Sequence, residues 1–153
     1  MAKKSLKILV ANGVNLDLLG KREPQIYGDK GLESVEELVK STLDAWSGLN
    51  TYKDVRLHFY QSNSEADFLN EISKKWDGAL INPGAWTHTS LALGDRLAAL
   101  QLPFVEVHIS NLSQREDFRK HSFLSPHAVG VVYGFGLGSY GAALIGLLNH
   151  LDG

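Results

Sequence analysis

The stretch "LKILVAN" (6–12) decides how the rest of the chain is read. Apart from Lys7 it is apolar up to its closing asparagine, Asn12. A strand with one wet face alternates apolar and polar residues. A nearly continuous apolar run belongs to a strand covered on both faces, as in a parallel sheet sandwiched between helices. Working outward, "VRLHFYQ" (55–61), "GALIN" (78–82), "FVEVHIS" (104–110) and "AVGVVYG" (128–134) are further short β-rich runs. Between them lie stretches with helical spacing. In "LESVEELVKSTLDAW" (32–46), Leu32, Val35, Leu38, Val39 and Trp46 share a stripe, and in "EADFLNEISKKW" (65–76), Phe68, Leu69, Ile72 and Trp76 do. "SLALGDRLAAL" (90–100) and "SYGAALIGLLNHL" (139–151) are two more helices, and "SQREDFRKH" (113–121) reads as a short one.

Five strands alternating with helices predict an α/β fold with a parallel sheet. At 153 residues the expectation is a flavodoxin-like three-layer sandwich with a five-stranded parallel sheet, one domain over 1–153. No linker, low-complexity run or internal repeat interrupts it. In such sheets ligands bind beyond the carboxyl ends of the strands.

Composition narrows the function. The net charge of −2 leaves no basic footprint for a nucleic acid or an anionic membrane. With no cysteine, thiol chemistry, disulfides and Cys-ligated metal sites are excluded. The six histidines show no HExxH or similar spacing, so no metal is expected. The apolar run near the N-terminus is too short for a signal peptide or a membrane span, and a cytoplasmic protein is expected.

The predicted strand ends carry a run of polar side chains: Asn12, Gly13 and Asn15; Gln61, Ser62 and Asn63; Asn82, Thr87, His88 and Thr89; Ser110 and Asn111. Loops use such residues as turn and cap formers, but their coincidence at four successive ends points to a polar cleft. Within the fourth strand, Glu106 and His108 are two apart and so share a face. Either they form a satisfied buried pair, or Glu106 orients His108 as a general acid. "GFGLGSYG" (134–141) formally matches GxGxxG, but no second strand and acidic residue follow. It reads as a tight turn and close helix packing. A flavodoxin-like binding module for a nucleotide or flavin remains an alternative on fold analogy.

The first strand is followed by a long loop, 13–30, that includes "GKREPQIYGDKG" (20–31). Tyr27 reads either as an amphipathic anchor pinning this loop or as a reactive phenol. Arg22, five residues before it, is either a solvated charge or the cation that lowers that phenol's pKa. A lid at about 18–30 is expected.

"NGVNLDLLGKREPQIYG", "QSNSE", "INPGAWTHTS", "EVHISN" and "REDFRKHS" together resemble the type II 3-dehydroquinate dehydratases, in order and over nearly the whole chain. The resemblance implies a lyase of the shikimate pathway, serving chorismate and aromatic amino acid biosynthesis. It converts 3-dehydroquinate to 3-dehydroshikimate through an enolate, with no cofactor and no metal. It implies Tyr27 as base, Arg22 keeping Tyr27 ionised, and Asn12 holding the enolate through a water. His108, assisted by Glu106, would protonate the departing hydroxyl. Asn82, Ile109 and Ser110 would bind the carboxylate, and His88 and Arg119 the ring hydroxyls. Asp95 would reach in from a neighbouring subunit of a dodecamer built from trimers. Two positions depart from the family: Val14 stands where proline is usual and Asp17 where asparagine is usual. Proline would stiffen the turn after Asn12, and Asp17 brings a negative charge toward an anionic intermediate, with Lys21 or Arg22 as candidate counter-ions.

Overall fold

All eight residues of β1 (Ser5–Asn12) pair with the parallel strand β2 (Asp54–Gln61). On its other edge, Ile8–Asn12 pair with β3 (Gly78–Asn82). The sheet continues through β4 (Phe104–His108) to β5 (Gly130–Tyr133), giving a wholly parallel order β2-β1-β3-β4-β5. This is seen in a computed structural model, which describes residues 5–21, 23–27, 29–47 and 54–152; the side chains of Pro24, Tyr27 and Ser47 are not among those described. From β1 the chain moves outward one way to β2, then the other way through β3, β4 and β5. The carboxyl ends of β1 and β3 therefore flank a switch point, where a crevice opens in such folds.

Each face of the sheet has its own core. On one, Ile8, Val10, Leu80, Val105 and Val107 pack against α2 (Leu32–Ser47) and α5 (Gly138–Asp152) through Val35, Val39, Leu144 and Leu147. On the other, Leu9, Ala11, Ala79, Ile81 and Phe104 meet α3 (Glu65–Ile72) and α4 (Leu91–Leu100) through Phe68, Ile72, Leu93 and Leu97. The central strands are mostly apolar and buried on both sides because both faces are covered, as "LKILVAN" predicts. The edge strand β5 instead alternates, with Val131 and Tyr133 exposed. Gly141 allows α5 to lie close on α2: a Cβ there would stand 3.0 Å from Thr42 Oγ1.

Several boundaries differ from the sequence expectation. The third helix stops at Ile72, not Trp76. Ser73 Oγ donates back to the Leu69 carbonyl at 2.6 Å, and Trp76 packs from the following turn with Nε1 donating to the Glu71 carbonyl at 2.9 Å. Local side-chain bonds to the backbone thus end a helix that the apolar period would carry on. The segment expected as a short helix around 113–121 is two 3-10 turns, Leu112–Gln114 and Asp117–Arg119. The long loop after β1 holds a 3-10 turn, Leu16–Leu18, and a four-residue helix, α1 (Pro24–Tyr27). Leu16 and Leu19 are buried and fix its first part to the body.

Residues 121–125 form a strap outside the sheet. Phe123 N donates to the Thr87 carbonyl at 3.0 Å, which ties the strap to the turn after β3. Helix α4 touches its backbone at Gly94, where a Cβ would fall 2.4 Å from the Phe123 carbonyl oxygen. Replacing this glycine forces backbone to move, so Gly94→Ala should destabilise the protein by about 1–3 kcal/mol. Urea unfolding of the two proteins measures it; an unchanged midpoint would show that the strap gives way freely.

Candidate active site

The turn after β1 is built from backbone bonds between strand ends. Gly13 N donates to the Asn82 carbonyl at 2.8 Å, and Ser62 N to the Asn12 carbonyl at 3.1 Å. Gln61 Nε2 donates to the Gly13 carbonyl at 3.1 Å, and Asn63 Oδ1 accepts from Asn15 N at 2.8 Å. Asn15 sits in the left-handed region, with φ 68°. The polar end of β2 is therefore used to hold the turn and does not line the cavity described below, which corrects the expectation for Gln61, Ser62 and Asn63. Gly84, with φ +60°, passes so close to Val14 that a Cβ would meet its carbonyl oxygen at 2.6 Å. Val14 in turn lines the cavity described below, whereas Asp17 is exposed and outside its lining.

Glu106 and His108 lie on the α4 side of the sheet. Both are buried, and His108 Nε2 bonds Glu106 Oε2 at 2.7 Å. The strap supplies two more donors to the carboxylate: Ser122 Oγ at 2.7 Å and Ser125 Oγ at 3.1 Å, both to Oε1. Burial alone pushes the Glu106 carboxyl up. The hydrogen bond and charge of His108, with the two serine hydroxyls, outweigh it and hold the group below its ordinary range. The Glu106 carboxylate fixes the orientation of the His108 ring through Nε2. With Nε2 committed to Glu106, Nδ1 is the atom a ligand can meet.

On the opposite face, Asn12 and Asn82 pair in register at the ends of β1 and β3. Both amides bond the hydroxyl of Tyr140, which is fully buried on α5. Asn82 Nδ2 donates to the phenol oxygen at 2.9 Å, and the phenol donates to Asn12 Oδ1. Burial drives the Tyr140 phenol far above its ordinary pKa, so it stays neutral.

The cavity lies where these two faces meet. It is lined by Asn82, His88, His108, Ile109, Ser110 and Arg119, together with Val14, Leu16, Leu19 and Arg115. His88 Nδ1 faces the His121 carbonyl at 2.7 Å, so it carries the proton and leaves Nε2 as an acceptor. Partial burial lowers the His88 pKa most; the His121 carbonyl opposes this, and the nearby His108 and Arg119 charges add to the lowering, so the ring is neutral at pH 7. Its plane lies 6.5 Å from that of His108, centroid to centroid. Arg119 Nε bonds Glu116 Oε2 at 2.8 Å, and Arg115 Nη1 donates to Ser110 Oγ at 3.1 Å. Two guanidiniums beside neutral amides and hydroxyls suit a small, hydroxylated anion.

Six sequence-predicted residues thus line one cavity: Asn82, His88, His108, Ile109, Ser110 and Arg119. Glu106 backs His108; Asn12 bonds Tyr140 and does not line the cavity, whereas Asn15 does. Asp95 is exposed on α4, away from the cavity of its own chain. Arg22 and the side chain of Tyr27 lie outside the described residues. Sequence reasoning missed Arg115, Ser122, Ser125 and Tyr140. The first three stand inside the quoted motifs or beside them. Tyr140 was hidden in a glycine-rich stretch read only for packing.

Residues 6–148 match the family model described as dehydroquinase class II. The chain belongs to this family. Its dehydroquinase relatives include the 3-dehydroquinate dehydratase of Prochlorococcus marinus (strain MIT 9301), 45% identical over 151 residues that cover 96% of this chain and 97% of the relative. Two crystal structures of type II dehydroquinases share the fold. That from Butyrivibrio crossotus superposes with a TM-score of 0.82 at 38% identity, covering 94% of this chain and 97% of the other. That from Propionibacterium acnes gives 0.78 at 39%, covering 97% and 99%. Among the described residues, no helix is long and apolar enough to cross a membrane.

Because the folded Glu106 carboxyl titrates lower than the unfolded one, its stabilisation is fully present above the ordinary value of 4.5. It is lost as the pH falls through the depressed folded value. Glu106→Gln keeps the shape but removes the charge. At pH 7 it should cost about 1–3 kcal/mol, and the acid loss of stability should become shallower. Urea midpoints across pH 3 to 7 measure both; parallel curves for the two proteins would mean Glu106 does not titrate below its unfolded value.

Proposed function

We propose that this chain dehydrates 3-dehydroquinate to 3-dehydroshikimate, in the shikimate route to chorismate and aromatic amino acids. One observation carries the reading: the buried Glu106–His108 pair opens on an arginine-lined cavity in a chain matching the dehydroquinase family over 6–148. In this mechanism Tyr27 is the base, kept ionised by Arg22. It removes a proton beside the ketone, and the electron pair left behind forms an enolate. An amide of the turn after β1 stabilises that charge through a water, as a donor aimed at developing negative charge; Asn15 lines the cavity, whereas Asn12, the residue expected in this role from the sequence, does not. As the enolate collapses, the bond to the C1 hydroxyl breaks and His108 supplies the proton, so water leaves. Glu106 carries the compensating charge for the protonated ring.

Substrate placement follows from the cavity lining. Asn82, Ile109 and Ser110 hold the carboxylate, with Arg115 behind the Ser110 hydroxyl. Neutral His88, with a free Nε2 acceptor, takes a ring hydroxyl, and Arg119 takes another. Tyr27 and Arg22 arrive on a lid at about 18–30, within the single catalytic domain and hinged after the buried Leu19. Asp95, exposed on α4, serves the site of a neighbouring copy in a dodecamer of trimers. The site chemistry requires no cofactor and no metal, and we place the reaction in the cytoplasm.

Mixing the purified protein with 3-dehydroquinate should raise the ultraviolet absorbance of a conjugated enone. Tyr27→Phe should lower kcat by roughly 100-fold or more, with folding and assembly unchanged by circular dichroism and size exclusion. No enone signal at high protein concentration would remove the dehydratase reading. A fully active Tyr27→Phe protein would remove Tyr27 from the base role alone.

A further inference from the structure

The Ser122 hydroxyl has one proton to donate and two lone pairs to accept with. Leu124 N and Ser125 N both donate to its oxygen, at 3.0 and 3.1 Å. A backbone N–H can only donate, so these two bonds take both lone pairs. The hydroxyl proton is left to Glu106 Oε1, at 2.7 Å. Ser122 therefore cannot accept a proton from that oxygen. Ser125 Oγ also reaches Oε1, at 3.1 Å, but among the described residues no other protein group bonds its hydroxyl, so it is free to turn and accept. The other carboxylate oxygen, Oε2, meets His108 Nε2.

A second, smaller cavity of about 90 Å³ borders the Glu106 side chain. Arg119, Lys120, His121 and Tyr133 line it beside Ser122 and Ser125, whereas His108 does not. Its polar lining suits water. We infer that Ser122 is a positioning residue that closes Glu106 Oε1 to protons from this second cavity, so that Glu106 stays a carboxylate and holds His108 for proton donation. The effect on turnover rests on the dehydratase reading; the direction of the hydrogen bonds does not. A proton on Oε1 would confront the Ser122 hydroxyl proton across 2.7 Å. A water in place of that hydroxyl imposes no such direction, because it donates or accepts equally well.

The surroundings of the carboxylate agree. Burial pushes the Glu106 carboxyl up; the hydrogen bond and charge of His108, then the two serine hydroxyls, bring it below its ordinary value. The other ionisable groups near the pair are His88, 6.5 Å from His108 ring to ring, and Arg119, Lys120, His121 and Tyr133 around the second cavity. Among the described residues, only His108, Ser122 and Ser125 bond the carboxylate directly. The strap itself does not hang on Ser122: Phe123 N holds the Thr87 carbonyl, and Leu124 is fully buried. His88 therefore keeps its bond to the His121 carbonyl when the hydroxyl is lost. The loss falls on His108, and so on kcat rather than on KM.

The test is Ser122→Ala, alone and combined with Glu106→Gln, beside Ser125→Ala. Ser122→Ala should lower kcat increasingly as the pH falls, by about 10-fold at the acid end of the profile, with KM moved less than about threefold; tenfold is the kinetic equivalent of one hydrogen bond to a charged group. The acid limb of kcat should move to higher pH, because Glu106 then takes a proton sooner. Ser125→Ala should move it less. On the Glu106→Gln background, Ser122→Ala should lower kcat no further, since the group through which it acts is gone. An unchanged pH profile, a larger shift in Ser125→Ala, or an equal further loss on the Glu106→Gln background would overturn the inference. A readout free of turnover separates it from the dehydratase reading. The Glu106 carboxyl carbon, followed by NMR, should titrate at higher pH in Ser122→Ala than in the native protein. An unmoved titration would overturn the inference whatever the enzyme catalyses, and a moved one supports it even in a protein that turns over no 3-dehydroquinate. If Ser122→Ala fails to fold, neutron diffraction from the native protein in heavy water decides. A deuterium on Ser122 Oγ directed at Glu106 Oε1 supports the inference; one carried by Oε1, or a Ser122 deuterium directed elsewhere, refutes it.

Discussion

The carboxylate of Glu106 is the fixed point of this site. It lies inside an apolar strand, where an unpaired charge would be strongly unfavourable. It persists because three donors from two parts of the chain converge on it: His108 from its own strand, and Ser122 and Ser125 from the strap. The same contacts that keep it charged place the strap. Once placed, the strap brings the His121 carbonyl to His88 and the Phe123 backbone against Gly94. Removing the charge would therefore affect the imidazole, the serines and the packing of α4 together.

The cavity draws its two kinds of chemistry from opposite faces of one sheet. The acid pair belongs to the α4 side and the amide pair to the α5 side, and they meet only at the carboxyl edge. Strand geometry explains this division. Side chains alternate faces along each strand, so Glu106 and His108 share one face while Asn12 and Asn82 share the other. The carboxylate–imidazole pair and the two amides are thereby kept apart by the thickness of the sheet. Neither can neutralise the other by direct hydrogen bonding.

Much of this was legible in the sequence because parallel sheets leave a strong signal. The mainly apolar runs of β1, β3 and β4 pointed to the architecture, and the strand ends to Asn82, His88, His108 and Ser110. What stayed hidden depends on contacts far apart in the chain. Nothing near Tyr140 in sequence shows that its hydroxyl meets Asn12, 128 residues away. Ser122 and Ser125 look like ordinary turn residues until the strap is seen to cross Glu106. Helix ends failed for a different reason: at Ser73 a hydroxyl bond to the backbone overrode the apolar period. Gln61 and Asn63 misled because turns and ligands use the same polar side chains.

The wholly parallel order β2-β1-β3-β4-β5 also bears on how the protein comes into being. Every neighbouring pair of strands is joined only after a crossover, so native contacts span long stretches of chain, and such topologies fold slowly. Asn12, Asn82, Glu106 and Tyr140 come from four separate elements, and the strap must close over them. No early, local piece of the molecule can carry a partial version of the site. During synthesis the apolar strands are made well before their last covering helix, α5, leaves the ribosome. In that interval the part of one face that α2 does not cover stands open to water and to other chains.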